Sequence, residues 1–340
     1  MKFGKINHLI LFGGSRILCE FSLRIKKSKK YKLNIFTCDR QLKDVIYPDG
    51  TTLSYFLKRN KIEYTSTDGI NSCDFLLKQI SKTSLGIGFG EAWSFSKKII
   101  DLFDGRLLDF MGIPLPKYRG GAHYSWMIMK NDKRGACNLQ VINEDMVQGE
   151  FDSGEIVKTE KYLFPKSARI PDDYFESAVK KEIIFLNKFL KEIESNKDFK
   201  LTKINEDISM YFPRLNTMIN GFIDWAWDTK DIESFICAFD DPYAGASTFV
   251  EGKKVFLKKC KTNNKDGKFH PFQSGLIYKI NNKMVYVSTK SGTLVLKEIF
   301  DEKKKNIIDN LKVGQRFFTP NKYLEKALQS AIKYSAKGIK

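Results

Sequence analysis

The sequence predicts an α/β protein with two domains, an N-terminal parallel β-sheet covered by helices and a smaller C-terminal β-barrel. Three observations support this prediction. The chain begins with an apolar strand, a Gly-rich turn, a helix and a second strand, an order that builds parallel sheets. A long amphipathic helix over residues 172–195 follows the alternating region. From Tyr211 onward, short strands separated by Gly and Asn turns dominate, as in small barrels.

The first strand and helix show how the sheet begins. Residues 8–12 (HLILF) are apolar and stop at Gly13-Gly14, after which residues 16–25 have a helical pattern and residues 31–38 a second strand pattern. The Gly pair lacks the G-x-G-x-x-G spacing and the Lys-Ser/Thr ending of phosphate loops. It therefore favours a tight turn, although the N-terminus of the helix could also hold a nucleotide phosphate.

The next elements continue the alternation. Helical patterns occupy residues 51–60, 74–82 and 97–103, and strand patterns occupy residues 63–66 and 85–89. The last of these strands, LGIGF, alternates apolar residues with Gly. Gly inside a strand marks the close approach of another backbone or of a ligand.

The stretch over residues 104–157 alternates strand ends with polar, irregular loops. Its parts are a strand end at 107–110, a Pro- and Gly-rich loop at 114–121, a helix at 123–129, a strand at 138–142 and an acidic loop ending at 152–154. In open α/β sheets, ligands bind at the carboxyl ends of the strands. The sequence therefore predicts a binding site in this stretch.

The C-terminal part follows a strand at 160–164, the long helix and a polar linker at 196–207. A helix at 231–239 and a turn-rich loop at 240–246 precede the barrel. The predicted barrel strands are 247–250, 253–260, 275–280, 283–288 and 292–300. We assign residues 1–200 to the N-terminal domain and residues 208–325 to the barrel domain.

Composition fits a globular protein of two cores. The chain has 340 residues, of which 42% are hydrophobic and 13% aromatic, which argues against disorder. Its net charge of +18 comes from lysines spread along the whole chain, with only short clusters at 26–32 and 303–305. Such charges are typical of solvated faces, so specific nucleic-acid binding is not expected, while anionic small molecules would be favoured.

The cysteine pattern points to a reducing compartment. None of the six cysteines is paired at metal-ligand spacing, and a chain of this size needs no disulfide framework, so we expect no metal site. The first residues do not form a signal peptide, and no apolar run reaches membrane-spanning length. We therefore expect a cytoplasmic protein that does not cross a membrane.

Two motifs in the central stretch carry a resemblance to a known family. Residues 115–120 (LPKYRG) and 152–156 (DSGEI) resemble the Leu-Pro-x-x-(Arg)-Gly and Asp-Thr-Gly loops of the folate-dependent formyltransferases. Residues 223–225 (IDW) and 241–246 (DPYAGA) resemble the C-terminal domain of methionyl-tRNA formyltransferase and of the related sugar formyltransferases. The preceding residues 211–214 (YFPR) favour the sugar type.

The resemblance breaks down at the strand end ahead of the Leu-Pro loop. The family has an Asn and a His there, and Asp109 and Met111 occupy those places here, while Asp152 is retained. Met111 cannot titrate, and an ionised Asp109 would repel a developing oxyanion but could accept a proton from an ammonium substrate. His123 could replace the missing imidazole or could simply cap or pack its helix. We predict Asp152, Asp109 and His123 as the catalytic residues.

The resemblance implies a Rossmann-like formyltransferase domain, an OB-like barrel and 10-formyltetrahydrofolate as the cofactor. For Trp93, packing alone is the alternative. The residues expected to contact the folate are Gly88, Phe89, Gly90, Trp93, Pro116, Arg119 and Asp152.

Three functions are compatible with this resemblance. The favoured one is formyl transfer to the amine of a small substrate, above all a nucleotide-linked amino sugar. The alternatives are a methionyl-tRNA formyltransferase and a catalytically silent or repurposed member that binds folate or a nucleotide sugar. The sequence is also compatible with a homodimer.

Overall fold

The computed structural model describes residues 1–144, 154–332, 334–335 and 338–339. Its N-terminal strands are β1 His8–Gly13, β2 Lys32–Thr37, β3 Thr65–Ser66, β4 Ser84–Phe89, β5 Leu107–Met111, β6 Arg119–Gly120, β7 Arg134–Val141 and β8 Ile156–Leu163. Its N-terminal helices are α1 Arg16–Ser28, α2 Asp39–Leu42, α3 Leu53–Arg59, α4 Asp74–Gln79, α5 Lys97–Phe103, α6 His123–Met129 and α7 Pro171–Glu194. No helix in these ranges or in the described C-terminal part is long and apolar enough to span a bilayer.

The N-terminal sheet has seven strands in the order β3-β2-β1-β4-β5-β7-β8. The strands β1 to β5 run parallel, as the sequence predicts. The strands β7 and β8 are antiparallel additions at one edge of this parallel sheet. The reason is that α6 packs against a helix of the second domain and not over the sheet, so no crossover returns the chain in the parallel sense.

Apolar side chains cover both faces of this sheet. On one face, Leu11, Phe89 and Phe110 pack with buried residues of α1 and α7. On the other face, Phe12 and Leu107 pack with buried residues of α4 and α5. Side chains alternate between the faces along each strand, so Leu107, Asp109 and Met111 of β5 face the same side. This alternation decides which residues of β5 belong to the site described below.

The C-terminal domain is built on a six-stranded antiparallel sheet in the order β12-β13-β14-β11-β10-β15. The strands of this C-terminal part are β9 Tyr211–Phe212, β10 Ala246–Val250, β11 Lys253–Asn263, β12 Ile277–Asn281, β13 Met284–Thr289, β14 Gly292–Asp301, β15 Phe317–Phe318, β16 Tyr334–Ser335 and β17 Gly338–Ile339. Three of them lie outside the six-stranded sheet, since β9 pairs with β6 and β16 pairs with β17. Its helices are α8 Thr217–Asn220, α9 Thr229–Ala238 and α10 Asn321–Gln329. The predicted barrel strands are confirmed, whereas β15 and α10 were not predicted.

The six-stranded sheet curls until its two edges meet. The Gly314 N–H donates to Ile277 O at 2.8 Å, and the Phe317 N–H donates to Gly275 O at 2.8 Å. Gly275 has a φ of +82°, and a Cβ there would lie 2.1 Å from Phe317 O, so only glycine fits at this closure. These bonds satisfy edge groups that an open sheet would expose.

The two domains share one hydrophobic core. Tyr118, Met127 and Tyr174 from the N-terminal part belong to the same buried cluster as Trp225 and Leu257 from the C-terminal part. The junction also holds hydrogen bonds, from Ser125 Oγ to Ala238 O at 2.8 Å and from Trp126 Nε1 to Pro213 O at 2.8 Å. The helix α6 is therefore fixed by the second domain.

Candidate functional site

A row of three residues crosses the sheet at the ends of the central strands. Gly88 pairs with Asp109, and Asp109 pairs with Gln140 across β5 and β7. Asp109 is 6% exposed and Gln140 is fully buried, and Gln140 Nε2 donates to Asp109 Oδ2 at 3.4 Å. The buried Gln140 Oε1 has no hydrogen-bond partner in the part of the chain that the structure describes. The row therefore presents a carboxylate and an amide acceptor beside Gly88, against which the Glu91 carboxylate packs.

The neighbouring row fixes the start of the Pro-rich loop. Met111 pairs with Asn138, and Asn138 pairs with Thr159. The Asn138 side-chain N–H donates to Ile113 O at 2.5 Å and to Met111 O at 3.3 Å, and Thr159 donates to Asn138 Oδ1 at 2.7 Å. Because both ends of the Asn138 amide are used in this way, it holds the backbone after Met111 in place. Sequence analysis missed this role, since pairing across antiparallel strands is not readable from spacing.

The end of β4 and the segment after it contain four of the residues predicted to contact a folate. The Phe89 side chain is 1% exposed and packs between Phe21 and Phe110, so its ring lies in the core and only its backbone can face a ligand. Gly90 has a φ of +69° with open space where a Cβ would stand. The buried Trp93 Nε1 has no hydrogen-bond partner among the described residues. Gly88, Gly90 and Trp93 thus remain the candidates for ligand contact.

The Leu-Pro loop is tied to the interdomain linker. The Leu115–Pro116 peptide bond is cis, and Pro116 O accepts a hydrogen bond from the Met210 N–H at 3.0 Å. Both Arg119 guanidinium nitrogens Nη1 and Nη2 bind the Glu206 carboxylate, at 2.7 and 2.8 Å. The positive charge of Arg119 is therefore already paired within the chain, and its predicted folate contact stays a prediction.

His123 begins α6 and reaches back to the Gly pair. Its Nε2–H donates to Gly120 O at 3.1 Å, directly after Ala122, which has a φ of +53°. Burial first, and the positive charge of Arg214 second, lower the pKa of His123 to about 4. The imidazole is therefore neutral near pH 7, with its proton on Nε2, and it fastens the loop. This arrangement supports the structural alternative for His123 and not the role of a proton donor.

Asp152 lies outside the residues that the structure describes. Its role as the retained acid of the family motif stays a prediction.

Comparisons with known proteins agree with this fold. A family described as "Formyl transferase, C-terminal domain" matches residues 217–313. The methionyl-tRNA formyltransferase of Pseudothermotoga lettingae is 28% identical over 235 residues, which cover 65% of this chain and 69% of the relative. That of Malacoplasma penetrans is 22% identical over 333 residues, covering 91% of this chain and 96% of the relative. Together these matches support a folate-dependent formyltransferase family for this chain.

Solved structures of other proteins share this fold. An N-formyltransferase from Helicobacter canadensis, bound to folinic acid and dTDP-3-aminofucose, superposes with a TM-score of 0.60 at 15% identity, covering 86% of this chain and 98% of the other. HypX from Aquifex aeolicus has a TM-score of 0.55 at 18% identity, and 96% of this chain covers only 48% of HypX. The chain thus spans about half the length of HypX.

This formyltransferase chain contains a buried acid that sequence analysis missed. Glu182 of α7 is 5% exposed, and burial raises the pKa of its carboxyl to about 8, partly opposed by a hydrogen bond with Tyr124. Its carboxylate lies against Gly112, where a Cβ would be 2.3 Å from Glu182 Oε1. The available signal was an acid on the apolar stripe of the helix, four residues from both Ala178 and Leu186.

A cleft with a basic rim opens beside the Leu-Pro loop. Its volume is about 420 Å³, within the range of ligand sites. Three cations contribute to its lining, Lys117, Arg134 and Lys161, together with apolar side chains that include Leu163 and Ile208. Arg134 is held by Asp132 through Nη2–Oδ2 at 2.7 Å. The cleft can therefore combine apolar contact with attraction of an anion.

Proposed function

We propose that this protein transfers a formyl group from 10-formyltetrahydrofolate to the amine of a nucleotide-linked amino sugar, with Asp109 as the base. The observation that carries the proposal is the buried row formed by Gly88, Asp109 and Gln140 at the strand ends of a formyltransferase fold. The row combines a proton acceptor with a side-chain amide that holds it, and proton removal from an amine requires a positioned acceptor of this kind.

The residues around this row are compatible with a reduced folate. The Trp93 indole N–H is a buried donor, and Gln140 Oε1 is a buried acceptor, and neither has a partner in the described ranges. Buried polar groups are normally hydrogen-bonded, so both atoms suit a ligand that has donors and acceptors on its rings. The open space at Gly90 leaves room for such a ring. When bound, 10-formyltetrahydrofolate supplies the formyl group and the nitrogen that leaves.

Because Asp109 and Met111 replace the family's Asn and His, other residues must carry out the catalytic steps. An amino sugar is an ammonium ion in water, and it must lose a proton before its nitrogen can attack. The Asp109 carboxylate is placed to take that proton, and its negative charge also attracts the ammonium group. The Gln140 side-chain N–H on the neighbouring strand donates to Asp109 and so orients the base, and Gln140 Oε1, which has no partner among the described residues, can accept a hydrogen bond from the ammonium group. Met111 adds an apolar surface that excludes water from the site.

The basic cleft supports a nucleotide-linked acceptor. Lys117 and Lys161 would attract a diphosphate, and Leu163 and Ile208 offer apolar surface to a base or sugar. Two solved structures of the same fold, an N-formyltransferase from Helicobacter canadensis and the sugar 3N-formyltransferase WlaRD, contain dTDP-linked sugar or dTDP together with a folate derivative. Asp152 remains proposed as a proton carrier on the strength of its motif.

A second candidate is formylation of methionyl-tRNA. It is favoured by the methionyl-tRNA formyltransferases among the relatives and by the net charge of +18. Non-specific attraction of RNA by spread lysines should fall steeply with salt, whereas recognition of an acceptor stem by defined base contacts should persist better.

The test is an acceptor panel with 10-formyltetrahydrofolate. Purified protein is incubated with dTDP- and UDP-linked 3-amino and 4-amino sugars and with methionyl-tRNA, and products are identified by mass spectrometry. The proposal predicts formylation of an amino sugar. Formylation of methionyl-tRNA alone would support the second candidate. No transfer to any acceptor, with saturable 5-formyltetrahydrofolate binding by calorimetry, would show a member that binds folate without transferring the group.

A further inference from the structure

We propose that Cys237 and Cys260 form an oxidisable dithiol, a modification site in the C-terminal domain that hydrogen peroxide converts to a disulfide. Cys237 lies in the last turn of α9, and Cys260 lies in β11, which packs against that helix. The Cys260 S–H approaches Glu233 O at 3.7 Å, one helical turn before Cys237, and Arg169 Nη2 contacts both Cys237 Sγ and Cys260 O. These shared contacts place the two cysteines side by side across the helix–strand interface.

An arginine from the other domain faces the pair. Arg169 precedes α7, and its Nη2 donates to Cys237 Sγ at 3.6 Å and to Cys260 O at 3.0 Å. The same guanidinium forms an ion pair with Glu233. A guanidinium beside a thiol favours the thiolate, which is the reactive form in thiol oxidation. This contact distinguishes the pair from thiols that are buried only among apolar side chains.

A cleft reaches both cysteines. Its volume is about 260 Å³, and Cys237 and Cys260 both line it although their exposed fractions are only 5% and 3%. The charged residues on its wall are Arg169, Lys259, Lys261, Lys297, Asp173 and Asp240. The cleft is large enough for peroxide, and its cations exceed its anions.

The two cysteines differ in proton affinity. The neighbouring Cys260 thiol lowers the pKa of Cys237 against the effect of burial, and the charge of Arg169 lowers it further. The neighbouring Cys237 thiol, together with burial, raises the pKa of Cys260. Because the Arg169 guanidinium contacts the sulfur of Cys237 and only the backbone oxygen of Cys260, we assign Cys237 as the nucleophile and Cys260 as the thiol that attacks second.

The reaction balances with hydrogen peroxide as the only oxidant. The Cys237 thiolate attacks one peroxide oxygen, an S–O bond forms, the O–O bond breaks, and the departing hydroxide takes a proton to become water. The Cys260 sulfur then attacks the sulfenic sulfur of Cys237, the S–S bond forms and the S–O bond breaks. The released hydroxide takes the Cys260 proton and leaves as a second water. Both sulfurs are oxidised and the peroxide is reduced.

Four other cysteines serve as internal controls. Burial raises the pKa of Cys19 to about 12, and it also raises the pKa of Cys137. Cys73 is less buried than either cysteine of the pair. If exposure alone governed oxidation, Cys73 would react before Cys237.

The test uses the full chain, fully reduced, treated with hydrogen peroxide, alkylated and digested without reductant. Mass spectrometry should show a peptide that links Cys237 to Cys260, which dithiothreitol reverses, before Cys73 is modified. Oxidation of Cys73 while Cys237 and Cys260 stay alkylated would overturn the proposal. Because this experiment uses the unchanged protein, its outcome does not depend on whether any variant folds.

Variants define the roles of the two sulfurs. Cys260→Ser should leave a sulfenic acid at Cys237 that dimedone traps, whereas Cys237→Ser should leave Cys260 unreactive toward dimedone. Arg169→Gln should slow disulfide formation several-fold, and the matched Arg169→Lys should retain most of the rate because it keeps the charge. Equal dimedone labelling in the two cysteine variants would contradict the assignment of Cys237 as the nucleophile.

Discussion

The Gln140 side-chain amide donates to the Asp109 carboxylate across β5 and β7, with Nε2 and Oδ2 3.4 Å apart. Asp109 occupies a position of the family motif, whereas Gln140 belongs to no motif. A buried carboxylate is costly without hydrogen bonds, and Gln140 provides part of that support. The pair therefore gives the buried carboxylate of Asp109, the proposed base, one of its hydrogen bonds.

Asp109→Asn should remove the proposed base while keeping the size of the side chain. We expect kcat/KM for formyl transfer to fall by about 10²–10⁴-fold, the range typical of general acid–base groups. The pH–rate profile should also lose its acidic limb. Met111→Leu is the matched control on the same face of β5, and it should change the rate little. An unchanged rate and pH profile in Asp109→Asn would exclude Asp109 as the base.

Gly120→Ala should destabilise the protein through the loop that His123 fastens. Gly120 has a φ of +103°, and a Cβ would lie 2.1 Å from Phe212 O, within the β6–β9 pair. We expect a loss of about 2–4 kcal/mol in the free energy of unfolding, from backbone strain and a broken strand pair together. Gly252→Ala is the control, since its φ is +74° but nothing lies within 4 Å. Chemical denaturation that gives equal losses for both would show that the clash is absent.

Glu182 should make stability fall as pH rises. Its folded pKa is about 8 against a reference value of 4.5, so between these values the unfolded chain releases a proton that the folded chain keeps. The contribution of Glu182 to the free energy of unfolding is fully present below pH 4.5 and should decline by about 1.4 kcal/mol per pH unit toward pH 8. Denaturation of Glu182→Gln across this window should show a flatter curve. A curve parallel to that of the unchanged protein would mean that Glu182 is not protonated when folded.

His123 should have the opposite effect. Its folded pKa is about 4 against a reference value of 6.5, so the unfolded chain binds a proton in this window and the folded chain does not. Its stabilising contribution should be present above pH 6.5 and lost as pH falls toward 4. His123→Gln keeps a side-chain donor for Gly120 O and should reduce this loss in acid. NMR titration that finds His123 charged at pH 6 would contradict the burial seen here.

Much of the fold follows from local patterns. The helix at 123–129 and the strands at 107–111 and 246–250 lie within about a residue of their predicted limits, because apolar spacing and Gly breaks set them. The two-residue strand β15 has no periodic signal; it pairs with β10, and the Phe317 N–H donates to Gly275 O at the opposite edge of the sheet. Its pairing is a tertiary effect.

The site was less predictable than the fold. Motif positions identified Asp109, but its neighbour Gln140 depends on the register of an antiparallel strand. The Arg119 guanidinium was expected to contact a ligand, yet Glu206, distant in sequence, pairs with it. Sequence spacing does not reveal that a carboxylate far along the chain, such as Glu206, will pair with the Arg119 guanidinium.

The most direct test of formyl transfer by an altered site is to restore the family's residues. The unchanged protein and the double variant Asp109→Asn with Met111→His are compared for transfer from 10-formyltetrahydrofolate to the same dTDP- and UDP-linked amino sugars. Our account predicts transfer by the unchanged protein and a large loss in the double variant, since Asp109 and Met111 belong to a different working site. No transfer by the unchanged protein, with transfer created in the double variant, would contradict it.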